Sequence, residues 1–275
     1  MFMEHEGRVA LVTGGSSGLG AGAALELARQ GAAVAVHGVD LGQAEAVAKT
    51  IRAAGGRAIA VAGLIQDAGT SVAAVEATMA AFGRLDTLVA SAGIQRYGTA
   101  VSTDESTWDE VAEVNVKGVY LAAKAALPHI RLSPAGSVVI VSSAQATASQ
   151  ADVVAYTASK GALVAMARAM AMDEAEFGVR VNTVSPGAID TPMLRHSASM
   201  LSDGTPAGVD KVLADWGAVH ALGRVGTAEE VGAVISFLAS TRASFVTGTE
   251  VRVDGGLLAR IGATIPAGAP PRAHK

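Results

Sequence analysis

Short apolar segments alternate with longer amphipathic segments along most of this 275-residue chain. Residues 8–13 are apolar and stop at glycines, and helical periodicity follows over residues 18–30. Further apolar segments occur at 33–37, 57–62, 85–90, 137–142 and 179–185, and residues 250–253 have the pattern of a last strand. Thr227 and Glu230 form a capping-box pair that predicts the start of a late helix. Continuous apolar strands separated by helices are typical of a parallel sheet covered on both faces. The pattern therefore predicts a doubly wound α/β fold with a seven-stranded parallel sheet.

No linker rich in Pro, Gly or Ser divides the chain, so we expect residues 1–262 to form a single domain. Residues 263–275 hold three of the eight prolines and show no periodicity. We interpret them as a C-terminal tail, and as a frayed end rather than a functional element.

Charge, hydropathy and cysteine content exclude several classes of function. The net charge is −4 and no basic stripe is present, which argues against a nucleic-acid partner. No apolar segment approaches the roughly 18 residues needed to span a bilayer, so no membrane partner is expected. The chain has no cysteine and its histidines lack metal-ligand spacing, so we predict no disulfide, no thiolate chemistry and no catalytic metal. These features predict a soluble, cytoplasmic protein.

A glycine-rich turn joins the first predicted strand to the first helix. Its sequence over residues 13–20 is Thr-Gly-Gly-Ser-Ser-Gly-Leu-Gly. Glycines let a backbone turn sharply and approach a ligand, and a helix N-terminus offers unpaired N–H groups to a phosphate. At the end of a first buried strand, this turn predicts a Rossmann-like dinucleotide site, although glycines also occur in turns that bind nothing. The candidate contacts are Gly14, Ser16, Ser17, Gly18, Leu19 and Gly20.

The end of the second strand indicates which dinucleotide is bound. Asp40 lies about 20 residues beyond the glycine turn, where an acidic side chain pairs with the ribose hydroxyls of NAD. Asp40 is equally well placed to cap the next helix. No Arg or Lys occurs in this segment or at Ser17, so we predict NAD, with NADP left open.

Tyr156 and Lys160 are four residues apart and would share one helix face. An ammonium within about 4 Å of a phenolate stabilises it by about 4 kcal/mol at an effective dielectric near 20. Lys160 is therefore expected to lower the pKa of Tyr156 towards neutrality, as proton transfer to or from a carbonyl or alcohol requires. Tyr and Lys also occur at this spacing by chance on helix surfaces.

Two further polar residues are candidates for the same site. Ser143 ends the preceding strand, at the sheet edge where ligands bind in open α/β folds, and could hydrogen-bond a substrate oxygen. Asn115 lies in a helical stretch, where an amide is a mediocre helix former. Asn115 is either functional or a satisfied polar group of the core.

With these motifs the chain resembles the classical short-chain dehydrogenase/reductase family over residues 8–256. The glycine turn has the family's Thr-Gly-x-x-x-Gly-x-Gly form, and Ser143 precedes Tyr156 by the family's thirteen residues. Pro186-Gly187, Thr191-Pro192 and the closing Val-Asp-Gly-Gly of residues 253–256 also match.

The resemblance implies a catalytic tetrad. Tyr156 would be the acid/base, Lys160 would tune it and hold the nicotinamide ribose, Ser143 would orient the substrate oxygen, and Asn115 would keep a water in a proton relay. Hydride would pass between nicotinamide C4 and a secondary alcohol or ketone, the chemistry of class EC 1.1.1.-. Ile189 and Thr191 would hold the carboxamide, and a homotetramer is implied. The remaining implied cofactor contacts are Ile65, Ala92, Gly93, Pro186 and Gly187.

Three positions depart from the family pattern. Ser91 replaces an asparagine that ties strands together, so we expect the cofactor floor to be held differently. Leu64 replaces an aspartate that contacts adenine. Gly38 occupies the usual position of the acidic residue that specifies NAD.

Polar residues near the expected substrate cleft favour a sugar, a polyol or another hydroxylated substrate. They are Gln95, Arg96, Gln145, Gln150 and His196, each of which is alternatively an exposed loop residue. The resemblance implies a mobile lid over residues 193–219, within which we expect Trp216 to pack. A 3-oxoacyl-thioester reductase of the same family and a non-catalytic dinucleotide sensor are the alternatives, and the substrate's identity is open.

Overall fold

Seven parallel strands form one sheet in this computed structural model, which describes residues 3–259. The predicted tail 263–275 lies outside the described residues. The strand order is β3-β2-β1-β4-β5-β6-β7. The sheet therefore grows from β1 in one direction with β2 and β3, and in the other direction with β4 to β7. This confirms the predicted fold class. The strands are β1 (Val9–Thr13), β2 (Ala33–Gly38), β3 (Arg57–Ala62), β4 (Thr87–Ala90), β5 (Ser137–Val141), β6 (Arg180–Pro186) and β7 (Glu250–Val253).

Helices cover both faces of the sheet. They are α1 (Gly18–Arg29), α2 (Leu41–Ala53), α3 (Ala68–Phe82), α4 (Glu105–Ala112), α5 (Gly118–Ile130), α6 (Val154–Asp173), α7 (Pro192–Met200), α8 (Pro206–Ala218) and α9 (Ala228–Ala239). Neighbouring residues of one strand enter opposite cores, because successive side chains of a strand point to opposite faces. Val12 packs with α1, α2 and α9, whereas Leu11 packs with α3, α5 and α6. Among the described helices, none is long and apolar enough to cross a membrane.

Glycines bring α1 and α9 into close contact. A Cβ atom at Gly22 would lie 2.5 Å from the Ala228 carbonyl oxygen, and one at Gly232 would lie 2.7 Å from the Gly22 carbonyl oxygen. Only backbone fits between the helices at these points. The predicted capping box opens α9, since Thr227 Oγ1 accepts from Glu230 N at 3.3 Å and Glu230 Oε2 accepts from Thr227 N at 2.9 Å. The close packing of α9 against α1 fixes the position of α1, whose N-terminus faces the glycine turn.

Buried and half-buried charged side chains gather where the parallel strands begin, in a group we call the amino-end cluster (Arg8, Asp86 and Arg180). Arg8 donates to the Ala239 carbonyl at 2.7 Å, and Arg180 donates to the Leu238 and Ser240 carbonyls at 2.7 and 2.9 Å. Two guanidinium groups thus cap the C-terminus of α9, where carbonyls lack helical partners. Burial lowers the pKa of Arg180 to about 10.

Candidate active site

The glycine turn lies at the mouth of a cavity of about 570 Å³, at the ends of β1, β2, β4 and β5. Ligand sites of open α/β folds lie at this carboxyl edge of the sheet. The structure places thirteen of the predicted cofactor contacts in its lining: Gly14, Ser16, Ser17, Gly18, Leu19, Gly20, Asp40, Ile65, Ala92, Gly93, Tyr156, Lys160 and Thr191. The other three, Pro186, Gly187 and Ile189, line an adjoining cavity.

The turn's glycines are required by close backbone approach. Gly14 has a φ of +64°, and a Cβ atom there would lie 2.7 Å from the backbone of Ala92. A Cβ atom at Gly20 would overlap the Gly14 carbonyl. Ser17 precedes α1 in an extended conformation, and its side chain does not cap the helix. The N–H groups at the start of α1 are therefore available to an anionic ligand.

At the end of β2 the structure supports both interpretations of Asp40. Its Oδ1 accepts from Gln43 N at 2.7 Å, which caps α2, and the residue also lines the cavity. Gly38 has no room for a side chain, because a Cβ atom would lie 2.5 Å from Ser16 Oγ. Among the residues that line this cavity, Lys160 is the only lysine or arginine.

Sequence reasoning missed His37, the penultimate residue of β2. The side chain is 1% exposed and lines the same cavity, and neither ring nitrogen has a hydrogen-bond partner among the described residues. Burial lowers the pKa of His37, and the nearby Gly63 backbone opposes this more weakly. A neutral imidazole thus lies in the wall of this cavity. The only sequence signal was a histidine inside an apolar strand.

The structure brings three members of the predicted tetrad together. Tyr156 and Lys160 share one face of α6, and Lys160 Nζ lies 5.5 Å from the centre of the Tyr156 ring. Ser143 follows β5 and forms a side-chain hydrogen bond with Tyr156 that lowers the pKa of the phenol. Ser142 Oγ donates to the Lys160 carbonyl at 2.9 Å, and Lys160 Nζ donates to the Val141 carbonyl at 3.0 Å. The end of β5 therefore holds α6 at two points.

The expected lowering of the Tyr156 pKa is wrong. Burial raises the pKa of Tyr156, and the hydrogen bond with Ser143 only partly opposes this. Burial also lowers the pKa of Lys160 to about 8. The physical reason is that both groups lie in an enclosed site, and the ammonium is directed at the Val141 carbonyl. Desolvation disfavours the charged form of each group and is the largest cause of both shifts.

Asn115 lies behind the cleft and lines neither cavity. It is fully buried in a π-helical turn, Glu113–Lys117, between α4 and α5. Its Oδ1 accepts from Ile94 N at 2.8 Å, and its Nδ2 donates to Ile94 O at 2.9 Å and to Ser159 Oγ at 3.0 Å. Ser159 Oγ donates in turn to the Tyr156 carbonyl at 2.7 Å. The amide is thus a satisfied core group that ties the segment after β4 to the turn bearing Tyr156, and its part in a proton relay stays a prediction.

The two residues that replace family side chains near the cofactor floor both line the larger cavity. Ser91 N donates to the Thr13 carbonyl at 3.1 Å, so the backbone ties β4 to β1 here. Leu64 is 47% exposed and offers an apolar surface.

A second cavity, of about 360 Å³, adjoins Tyr156 and Ser143 and extends under the predicted lid. Gln95, Gln145 and Gln150 line it as expected. No Asp, Glu, Lys or Arg is among its lining residues.

Arg96 and His196 do not line this cavity, so their predicted place near the substrate is wrong. Arg96 turns outward to form two hydrogen bonds with Glu110, at 2.7 and 2.9 Å. His196 lies on the exposed face of α7, and its neighbour Ser197 lies on the face that meets the cavity. Trp216 does more than pack the lid, because it forms part of the cavity wall.

Known proteins resemble this chain over nearly its whole length. A family model described as Enoyl-(Acyl carrier protein) reductase matches residues 14–258. The cis-4-hydroxycyclohexanecarboxylate dehydrogenase of Sinomonas cyclohexanicum is 40% identical over 253 residues, which are 92% of this chain and 97% of that protein. The L-fucose dehydrogenase of Bos taurus is 36% identical over 260 residues, 93% of this chain and 91% of that protein. The ligand-free aldohexose dehydrogenase of Thermoplasma acidophilum is 32% identical with a TM-score of 0.87, covering 97% of this chain and 100% of that one.

Proposed function

Because the chain belongs to the short-chain dehydrogenase/reductase family and is an NAD(P)-dependent oxidoreductase of alcohols, class EC 1.1.1.-, we propose that it oxidises a secondary alcohol of a neutral, hydroxylated ring compound with NAD. The observation that carries the proposal is the position of Tyr156, which lines both cavities, beside Ser143, which lines the smaller one. One cavity has the glycine turn and the other has an uncharged, partly polar wall.

The residues of the larger cavity fit a dinucleotide. The backbone cradle at Gly14 and Gly20 would be filled by any Cβ atom, and the uncapped start of α1 suits a pyrophosphate. His37 supplies an orphaned polar side chain beside the expected ribose and adenine positions. Ile189 and Thr191 would hold the carboxamide, and Lys160 the nicotinamide ribose. When bound, the nicotinamide accepts or donates hydride at C4.

Residues of the chain orient the substrate and transfer its hydroxyl proton. Ser143 Oγ hydrogen-bonds the substrate oxygen and orients it towards Tyr156. In oxidation the Tyr156 phenolate oxygen accepts the hydroxyl proton, and in carbonyl reduction the phenol returns it. Lys160 carries the charge that stabilises the phenolate. Asn115 and Ser159 hold the first turn of α6, which fixes the position of the phenol.

The preference for NAD over NADP rests on charge. The cavity offers Asp40 where a 2′-phosphate would lie, and its only Lys or Arg is Lys160, beside Tyr156, which favours the free ribose hydroxyls of NAD. Asp40→Asn preserves a good helix cap and removes the negative charge. We expect NAD to bind about tenfold more weakly and NADP about tenfold more tightly, as fluorescence titration would measure. Asp104→Asn is the matched control, because Asp104 Oδ1 caps α4 with the same 2.7 Å bond to Thr107 N. Wild-type protein that prefers NADP would contradict the assignment.

The substrate's neutrality rests on the wall of the smaller cavity. Glutamine side chains offer hydrogen bonds to hydroxyl groups, and Trp216 offers a flat apolar surface to a ring, but no cation is present for a carboxylate. We expect cyclic diols and aldoses to be oxidised with a kcat/KM at least about tenfold above that of 4-hydroxycyclohexanecarboxylate, since burying an unpaired carboxylate is costly. The assay follows NADH formation across a matched panel of neutral and carboxylated rings. A preference for the carboxylated member would overturn this substrate class.

An acyl-thioester reductase would need cations around the cleft for its phosphorylated carrier. Three arginines there are already paired with carboxylates. Arg195 bonds Asp190 at 2.7 Å, Arg96 bonds Glu110 at 2.7 Å, and Arg224 bonds Glu230 at 2.5 Å. These pairings favour the alcohol substrate. Turnover of a 3-oxoacyl thioester with NADPH would favour the alternative.

A further inference from the structure

We propose that His220 is a positioning residue that couples the lid to the cofactor-binding loop, residues 187–191, so that bound NAD and bound substrate strengthen each other. The inference rests on the proposed function and assigns a role to a residue outside the catalytic tetrad.

His220 joins two segments that carry opposite halves of the site. Its Nδ1 lies 2.8 Å from the carbonyl oxygen of Trp216 in α8, and its Nε2 lies 3.1 Å from the backbone nitrogen of Ala188. Trp216 lines the substrate cavity, and Ala188 adjoins Ile189, a candidate carboxamide contact. One imidazole ring therefore spans the distance between the lid and the cofactor-binding loop.

The two bonds define the protonation state of the ring. An amide N–H can only donate, so Nε2 accepts from Ala188, and a carbonyl can only accept, so Nδ1 donates to Trp216. Both nitrogens are used in the neutral form with its proton on Nδ1. A lysine or arginine in its place would have donors only.

The surrounding backbone leaves room for the ring and holds it. His220 is 4% exposed, and a Cβ atom at Gly187 would lie only 2.7 Å from its Nε2. Gly255 lies on another side, where a Cβ atom would be 3.4 Å from the His220 Cβ. The ring is thus enclosed where β6 and β7 end, and it cannot move without moving Trp216 or Ala188.

This arrangement makes the coupling reciprocal. A ligand that orders the cofactor-binding loop fixes Ala188, the ring and Trp216 in turn, and a substrate that rests on Trp216 favours the same arrangement. Two ligands that favour one arrangement raise each other's affinity by the same factor.

Trp216 itself supplies the readout. The chain has two tryptophans, and Trp108, which lies on α4 and lines neither cavity, is replaced in a Trp108→Phe parent. In that parent, His220→Gln retains an acceptor for Ala188 N and loses the donor to Trp216, whereas His220→Asn retains a donor near Trp216 and loses the acceptor. His129→Gln, on α5, is the control.

We expect NAD to change the Trp216 emission of the parent and the control, and this change to be lost in both His220 variants. The KM for the best alcohol of the panel should rise by about 5- to 100-fold, with a smaller change in kcat. Folded His220 variants that retain the emission change and the KM of the control would show that the ring only fills space.

A measurement on the unaltered protein tests the proposal even if the His220 variants do not fold. In ¹⁵N-histidine NMR spectra, we expect His220 to be neutral, protonated at Nδ1, and to shift when NAD is added. A proton on Nε2, or signals that NAD leaves unchanged, would overturn the proposal. The proposed function fails separately, if the unaltered protein neither binds NAD nor oxidises any alcohol of the panel.

Discussion

Replacing Tyr156 by phenylalanine is expected to lower kcat/KM for the alcohol by about a thousandfold, within the range attributed to a positioned acid/base. The substitution removes one oxygen atom from a buried ring and leaves the helix, the cavity shape and Lys160 in place. The affinity for NAD should change little, because the glycine turn and Asp40 are unaffected. Initial rates of NADH formation and a parallel fluorescence titration measure the two quantities.

The chain contains a closely matched control for this substitution. Tyr120 and Lys124 on α5 have the same four-residue spacing, with Nζ 5.9 Å from the ring centre, but both are exposed and line neither cavity. Tyr120→Phe should leave the rates unchanged. Full activity of Tyr156→Phe, or an equal loss in Tyr120→Phe, would show that the acid/base has been wrongly assigned.

Lys160→Met is expected to lower the rate of alcohol oxidation by about a hundredfold near neutral pH and to move its pH dependence. Oxidation requires Tyr156 without its proton, and burial raises the pKa of that phenol. A positive charge at Lys160 opposes this shift, so its removal raises the Tyr156 pKa further. The oxidation rate of the wild type should rise with pH while carbonyl reduction, which requires the phenol, falls. In Lys160→Met the rising limb should lie at higher pH.

Loss of the proton from Lys160 also affects the pH dependence of the oxidation rate. Because burial lowers the pKa of Lys160 to about 8, its charge is fully present only well below that pH. The two groups therefore titrate as a pair, and the rate profile reports the pair. Lys160→Arg should retain the charge at all pH values of the assay. Lys124→Met is the surface control, and an unshifted oxidation limb in Lys160→Met would rule out electrostatic tuning.

Much of the fold was predictable because strands and helices leave local signals. The alternation of apolar segments located all seven strands to within two residues at most ends, and Thr227 with Glu230 marked the start of α9. The π-helical turn at Asn115 was not predictable, since its widened hydrogen bonding follows no period in the sequence.

The site was predictable only in part. Tyr120 and Lys124 show that spacing alone does not define a catalytic pair, and it was the offset of Ser143 that distinguished Tyr156 and Lys160. Arg96 and His196 were misplaced because the direction of a loop or helix-surface side chain depends on partners such as Glu110 that the local sequence does not reveal. His220 was missed for the same reason, whereas His37 was missed because a single histidine inside an apolar strand does not indicate what its ring faces. Homotetrameric assembly, the boundary at residue 262 and the cytoplasmic location stay predictions.

The amino-end cluster and the two cavities lie at opposite ends of the same strands. β6 alone has seven residues, and at about 3.3 Å per residue the strand separates Arg180 from the cavity residues by roughly 20 Å. Substitutions this far apart with no shared partner have additive effects on the free energy of unfolding. A lid or cleft substitution therefore leaves Arg8, Asp86 and Arg180 unaltered, together with the α9 carbonyls that the two arginines cap. One scaffold of this kind can exchange its substrate while its fold is secured elsewhere.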